Sequence, residues 1–138
     1  MSGAGLIPGR MPAQVVLADM ARCLAAIAED RKMVAAASNR ALMTYLAAAS
    51  ATQFGGDATL ALSGARDQAS THVRDLMIYL AHTKFGLTQK EAGDVTGQSR
   101  QAATRAVQRI EARREDGVFN WKLDQLEMLI DQMMREAA

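Results

Sequence analysis

The sequence has little of what locks or breaks a chain. It holds one cysteine, Cys23, in 138 residues, so no intrachain disulfide can form and a reducing compartment fits. Cys23 falls in an apolar helical pattern, and we read it as packing rather than as a nucleophile or ligand. The 2 prolines, Pro8 and Pro12, both lie near the start, so nothing later interrupts a helix in that way. Aromatics make up only 4% of the chain; with abundant alanine and methionine this favours an all-helical protein. No apolar run reaches the length of a membrane span. The opening "MSGAGLIPGRMP" has too short an apolar core for a secretory signal and reads as a flexible leader over residues 1–12.

What is present is enough for one domain with an extra element or two. Half the residues, 49%, are apolar, sufficient for a real core. The net charge of +1 hides an uneven distribution. Residues 74–114 carry 8 basic and 4 acidic groups, whereas residues 115–138 carry 2 basic and 6 acidic. A basic middle beside an acidic tail suggests one face that meets a polyanion.

Periodicity marks the helices. Pro12 suits a first turn, and Val16, Met20, Cys23, Leu24 and Ile27 then recur at helical spacing. Ser38 is a candidate cap for a second helix carrying Leu42, Tyr45, Leu46 and Ala49; one long helix over 13–53 fits equally well. "FGGD" at 54–57 is the clearest loop, "ATLALS" a short helical turn, and "SGARDQAS" a looser segment. Val73, Leu76, Met77, Leu80 and Ala81 mark a helix from about Ala69 that ends at Gly86. Thr88 and Glu91 form a capping box for a short helix closed by Thr96–Gly97, and Ser99 caps another from Arg100 to about Arg114. After the turn "EDG", Phe119, Trp121, Leu126, Leu129, Ile130 and Met133 form an amphipathic stripe read as core or partner packing.

Two helices joined by a tight glycine turn outline a helix-turn-helix, with 88–95 as supporting helix and 100–114 as reader. On the reader, Ala103, Ala106, Val107 and Ile110 face inward. Arg100, Gln101, Thr104, Arg105 and Gln108 face out. Arginine can fork onto guanine or phosphate, and glutamine can pair with the edge of adenine. The helix start beside Ser99 can hold a phosphate. Between Thr96 and Arg114, five arginines face one acid, Glu111, whereas solvated helices usually mix signs. Arg109, Arg113 and Arg114 lie toward the helix C-terminus, where they suit the helix dipole.

The stretch "RDLMIYLAHTKFGLTQKEAG", together with the reader helix after it, resembles the C-terminal DNA-binding domain of the bacterial replication initiator DnaA. The matching positions are Arg74, Tyr79-Leu80-Ala81, Thr88, Glu91-Ala92-Gly93, Gly97 and Ile110-Glu111, with Phe54-Gly55, Ser63 and Arg66 upstream. The resemblance extends over residues 42–134. It implies an all-α, DnaA-like helix-turn-helix domain over 54–138, preceded by a helical extension over 13–53. By position it implies backbone or minor-groove contacts at Arg66 and Arg74 and a phosphate contact at Lys90. It places base-side contacts at Ser99, Arg100, Gln101 and Thr104, beside Gln98, Arg105 and Gln108. The family opens its reader with aspartate-histidine-threonine-threonine. Here Ser99, Arg100, Gln101 and Ala102 stand there, after a turn one residue shorter, so a docking surface is implied and the base sequence read is not. The family's ATPase module is absent: no G-x-x-x-x-G-K-[ST] occurs.

His72 and His82 lie ten apart without further ligands at suitable spacing, so no metal site is expected. No nucleophile context or acid pair points to catalysis. The expectation is therefore a bacterial, cytoplasmic, nucleoid-associated protein, a regulator of transcription. It binds double-stranded DNA without cofactor, small-molecule substrate or membrane, and is able to form a homodimer through the apolar stripe of 13–53. The other readings are a helical assembly or adaptor subunit of the phage-packaging kind, and a protein that binds and modulates the replication initiator.

Overall fold

The computed structural model describes residues 13–30 and 35–137. These form seven helices and no strand: α1 Ala13–Asp30, α2 Ala35–Phe54, α3 Ala58–Leu62, α4 Gln68–Phe85, α5 Gln89–Thr96, α6 Arg100–Arg113 and α7 Gly117–Ala137. The fold is all-α, as composition and periodicity suggested. The leader over 1–12 lies outside the described residues. α1 and α2 pack against each other, which one continuous rod over 13–53 cannot do. Ser38, expected as a cap, lies inside α2 and is buried.

Helix α4 is the axle. From Val73 to Ala81 every residue is buried, and the helix packs against α2, α3, α5 and α6. A helix apolar nearly all round is stable only when surrounded. Leu76, Met77, Ile78 and Leu80 have no exposed surface, and burying each contributes about 1.5–3 kcal/mol. Its ends are set locally. Asp67 accepts from the Ser70 amide at 3.0 Å. That cap sits inside the segment expected to be loose, and its bond to Ser70 holds the carboxyl below its usual value. At the other end Gly86 takes a left-handed φ of 70°, a conformation glycine reaches without a steric penalty.

The stripe of 13–53 seals this same core. Met20 and Leu24 of α1 and Leu42, Met43, Leu46 and Ala47 of α2 join one buried cluster with α4, α6 and α7. None of the large exposed hydrophobic side chains lies on α1 or α2 among the described residues, so these members of the stripe are spent on the chain's own core; Ile27 lies outside the residues whose burial is described. Between α1 and α2, half-buried Cys23 faces Tyr45. A hydrogen bond with Cys23, together with burial, pushes the Tyr45 hydroxyl up to about 12.

Candidate nucleic-acid interface

The α5–turn–α6 unit is built from local signals. Thr88 Oγ1 accepts from the Glu91 amide at 3.1 Å, and the Glu91 carboxylate accepts from the Thr88 amide at 2.8 Å, closing the expected capping box. Gly97 ends α5 in the left-handed region, φ 69°, while the Gln98 amide donates back to Gly93 O at 2.7 Å. Gly93 is required for a different reason: a Cβ there would stand 2.7 Å from Gln98 O and 3.2 Å from Ser99 O. Helix and turn therefore meet backbone to backbone. Ser99 Oγ accepts from the Ala102 amide at 3.1 Å and starts α6.

The wheel of α6 divides as its spacing suggested. Ala103, Ala106, Val107 and Ile110 are buried. Arg100, Gln101, Arg105 and Gln108 are exposed, and among the described residues no hydrogen bond or ion pair engages the Arg100 or Arg105 guanidinium. Thr104 differs from its expected open position. It is half-buried, and its hydroxyl lies 2.5 Å from Gln89 Oε1 and 2.9 Å from Arg100 O. Gln98 is half-buried and Ser99 exposed at the turn. Gln89, which sequence reasoning missed, thus joins the supporting helix to the reader. A groove of about 520 Å³ opens here, lined by His82, Thr88, Gln89, Lys90 and Arg100. His82 Nδ1 donates to Leu87 O at 2.7 Å, fixing the ring at the groove's edge.

The remaining arginines of α6 serve the interior. Arg109 forks onto the buried Asp75 carboxylate with bonds of 2.8 and 2.9 Å, a bond that raises its own pKa. Arg113 lies 2.7 Å from His72 Nδ1 and 4.5 Å from the centre of the Phe119 ring. Arg114 donates to Tyr79 Oη at 3.0 Å, to Asn120 at 2.7 Å, to Asp124 at 3.0 Å and to Glu127. Burial opposes the charge of Arg114, but its bonds to Tyr79 and Glu127 outweigh that and raise its pKa. Helix-dipole stabilisation therefore understates these three residues: they clamp α6 to α4 and α7.

One of the flanking basic residues also differs from expectation. Arg74 is 5% exposed; its Nε donates to Ala61 O at 2.9 Å and its Nη2 to Ala65 O at 2.6 Å. A guanidinium spent on buried carbonyls cannot reach a phosphate, so Arg74 is not a surface contact. It instead ties down the loop that carries Arg66, which is exposed. Lys90 is exposed and pairs with Asp94 at 3.1 Å; such i,i+4 pairs contribute only about 0.2–0.5 kcal/mol.

No helix among the described residues is long and apolar enough to cross a membrane. No family model, no curated protein and no solved structure matches this chain.

Proposed function

We propose that this chain is a sequence-specific double-stranded DNA-binding protein that acts as a cytoplasmic, nucleoid-associated regulator of transcription. Its α5–α6 unit works as a helix-turn-helix of the DnaA C-terminal type. The observation that carries the reading is the sorting of arginines on α6. Arg109, Arg113 and Arg114 are consumed by intramolecular partners, whereas Arg100 and Arg105, with Gln101 and Gln108, stand exposed on the first turns, neither guanidinium engaged by a described residue. Folding alone accounts for the first group and not for the second.

In this mechanism the first turns of α6 enter the major groove. Arg100, Gln101, Arg105 and Gln108 meet base edges. The α6 N-terminus beside Ser99, with Lys90 and Arg66 on the flanks, holds phosphates and sets the register. Lys90 exchanges an exposed pair with Asp94 for a phosphate at little cost. Gln89 fixes the Thr104 side of the reader, and the chemistry requires neither cofactor nor catalytic group.

Fluorescence anisotropy with labelled duplex tests this directly. Affinity should fall steeply with salt, with a slope of about −0.9 per phosphate neutralised. Absence of binding at low salt refutes the proposal. The assembly or adaptor reading draws on the exposed apolar face of α7; a large ring without DNA affinity would select it. Binding to the replication initiator in place of DNA would select the third reading.

A further inference from the structure

The groove of about 520 Å³ where α4, α5 and α6 meet is lined by His82, Thr88, Gln89, Lys90 and Arg100. Four of these five side chains present donors. Lys90 and Arg100 have nothing else to offer. Thr88 Oγ1 accepts from the Glu91 amide at 3.1 Å, which leaves its hydroxyl proton to give. Gln89 Oε1 lies 2.5 Å from Thr104 Oγ1, which leaves the Gln89 amide nitrogen without a described partner. None of the five lining residues is acidic. A concavity furnished in this way fits a ligand that carries negative charge on several acceptor oxygens.

His82 is the exception, and its geometry fixes where its proton sits. Nδ1 lies 2.7 Å from Leu87 O. A carbonyl only accepts, so the proton is on Nδ1 and the neutral ring keeps Nε2 bare. The contact is firmly held: Leu87 is 1% exposed, and its amide donates to Ala81 O at 3.1 Å. A second proton would turn Nε2 from the odd acceptor into a fifth donor. The charges around the ring do not supply a counter-ion for that proton. Lys90 of α5 and Arg100 of α6 share the groove with it. Glu91 accepts from the Thr88 amide at 2.8 Å, and Asp94 pairs with Lys90 at 3.1 Å. Arg40 is the one charge on α2, and α3 carries none. On α4 itself, Lys84 pairs with Asp131 of α7. A phosphate entering the groove would be the counter-ion.

We propose that this groove is a proton-coupled seat for a DNA phosphodiester, which takes a hydrogen bond from His82 Nε2 only when the ring is the imidazolium. Solvent supplies the proton, and no covalent bond changes. The inference rests on the DNA-binding reading of α5–α6 and adds to it a contact residue, His82, and a regulator, pH. Lys90 leaves its exposed pair with Asp94 for the phosphate at little cost. Thr88 and Gln89 donate from the start of α5, and Arg100 lends charge from the α6 side. Histidine is the side chain whose charge ordinarily changes between about pH 5 and 8. The seat is therefore complete in mild acid and one donor short in mild base. Binding takes up a proton, so affinity falls as pH rises.

Anisotropy of labelled duplex with the full chain, at fixed ionic strength from about pH 5.5 to about pH 8, tests it. Wild-type affinity should be about tenfold higher at the acid end, the size expected of a hydrogen bond to a charged group. His82→Gln, polar but without the second proton, should bind almost equally across the range. His82→Lys, a permanent cation, should bind more tightly than wild type at the basic end. The native ring can also be followed without any substitution: its NMR signals should titrate at higher pH with duplex bound than without. Duplex binding whose pH profile is the same in wild type and His82→Gln, or that tightens toward base, overturns the inference and leaves the DNA reading standing. No duplex binding at any pH overturns both. Inorganic phosphate at the same ionic strength should move the His82 titration less than duplex does. An equal or larger shift assigns the groove to a free anion and overturns the DNA seat.

Discussion

Gly93→Ala is a small perturbation with a large expected effect. The added Cβ would stand 2.7 Å from Gln98 O, 3.2 Å from Ser99 O and 3.4 Å from Ser99 C, where ordinary contacts begin near 3.4 Å. The turn must therefore move by about 0.7 Å. It has little room to do so. The Gln98 amide is bonded to Gly93 O at 2.7 Å, and Ser99 is fixed by its cap to Ala102. Overpacking of this kind costs about 1–3 kcal/mol, and backbone groups on the far side place it toward the upper end. In a chain of this size that lowers Tm by about 10 °C. Thermal melts followed by far-UV circular dichroism should show this loss, with weakened DNA binding even below Tm because the reader shifts relative to α5. Gly117→Ala is the control: nothing lies within 4 Å of its Cβ position, and the change should be neutral or stabilising. A Gly93→Ala melt within about 2 °C of wild type would refute the claim that α5 and the turn are in obligate backbone contact.

Other outcomes stem from the clamps. Arg109→Ala leaves the buried Asp75 carboxylate unpaired and should cost about 3 kcal/mol, whereas Asp75→Ala frees an arginine whose side chain is 52% exposed and should cost less; denaturant titration of both variants checks the order. Burial, then the charge of Arg113, lowers the pKa of His72 from 6.5. The unfolded chain thus takes up this proton first, and stability is complete above pH 6.5 and declines as pH falls through the lowered folded value. His72→Leu should flatten that part of the stability–pH curve, and an unchanged slope would contradict the assignment.

Features set by neighbours in sequence were legible before the structure. The Thr88–Glu91 box, the Ser99 cap and the buried set Ala103, Ala106, Val107 and Ile110 depend on spacings of three and four, and the structure places them as read. Features set by distant partners were not. Arg74 looked like a surface cation, but its acceptors are carbonyls nine and 13 residues earlier. Arg109 looked like a helix-end charge, but its carboxylate lies 34 residues back. The stripe of 13–53 was visible as apolar; whether it would cover its own core or a second copy depended on α4 and α7 standing beside it. Asp67 was legible in principle, since an aspartate three residues before Ser70 is a capping signal, but the surrounding glycine and polar residues masked it.

In the proposed function the free arginines of α6 read DNA while the clamped ones hold the fold. The measurement that tests it most directly compares Arg100→Ala, Arg105→Ala and Arg40→Ala on a duplex selected from genomic fragments by the wild-type protein. Arg40 is exposed on α2, so its loss removes the same charge outside the reader helix. Arg100→Ala and Arg105→Ala should each cost about 1–3 kcal/mol of affinity and of discrimination against unrelated duplex, with Arg40→Ala close to wild type and all three melting alike. Equal losses in all three, or none in any, would contradict it.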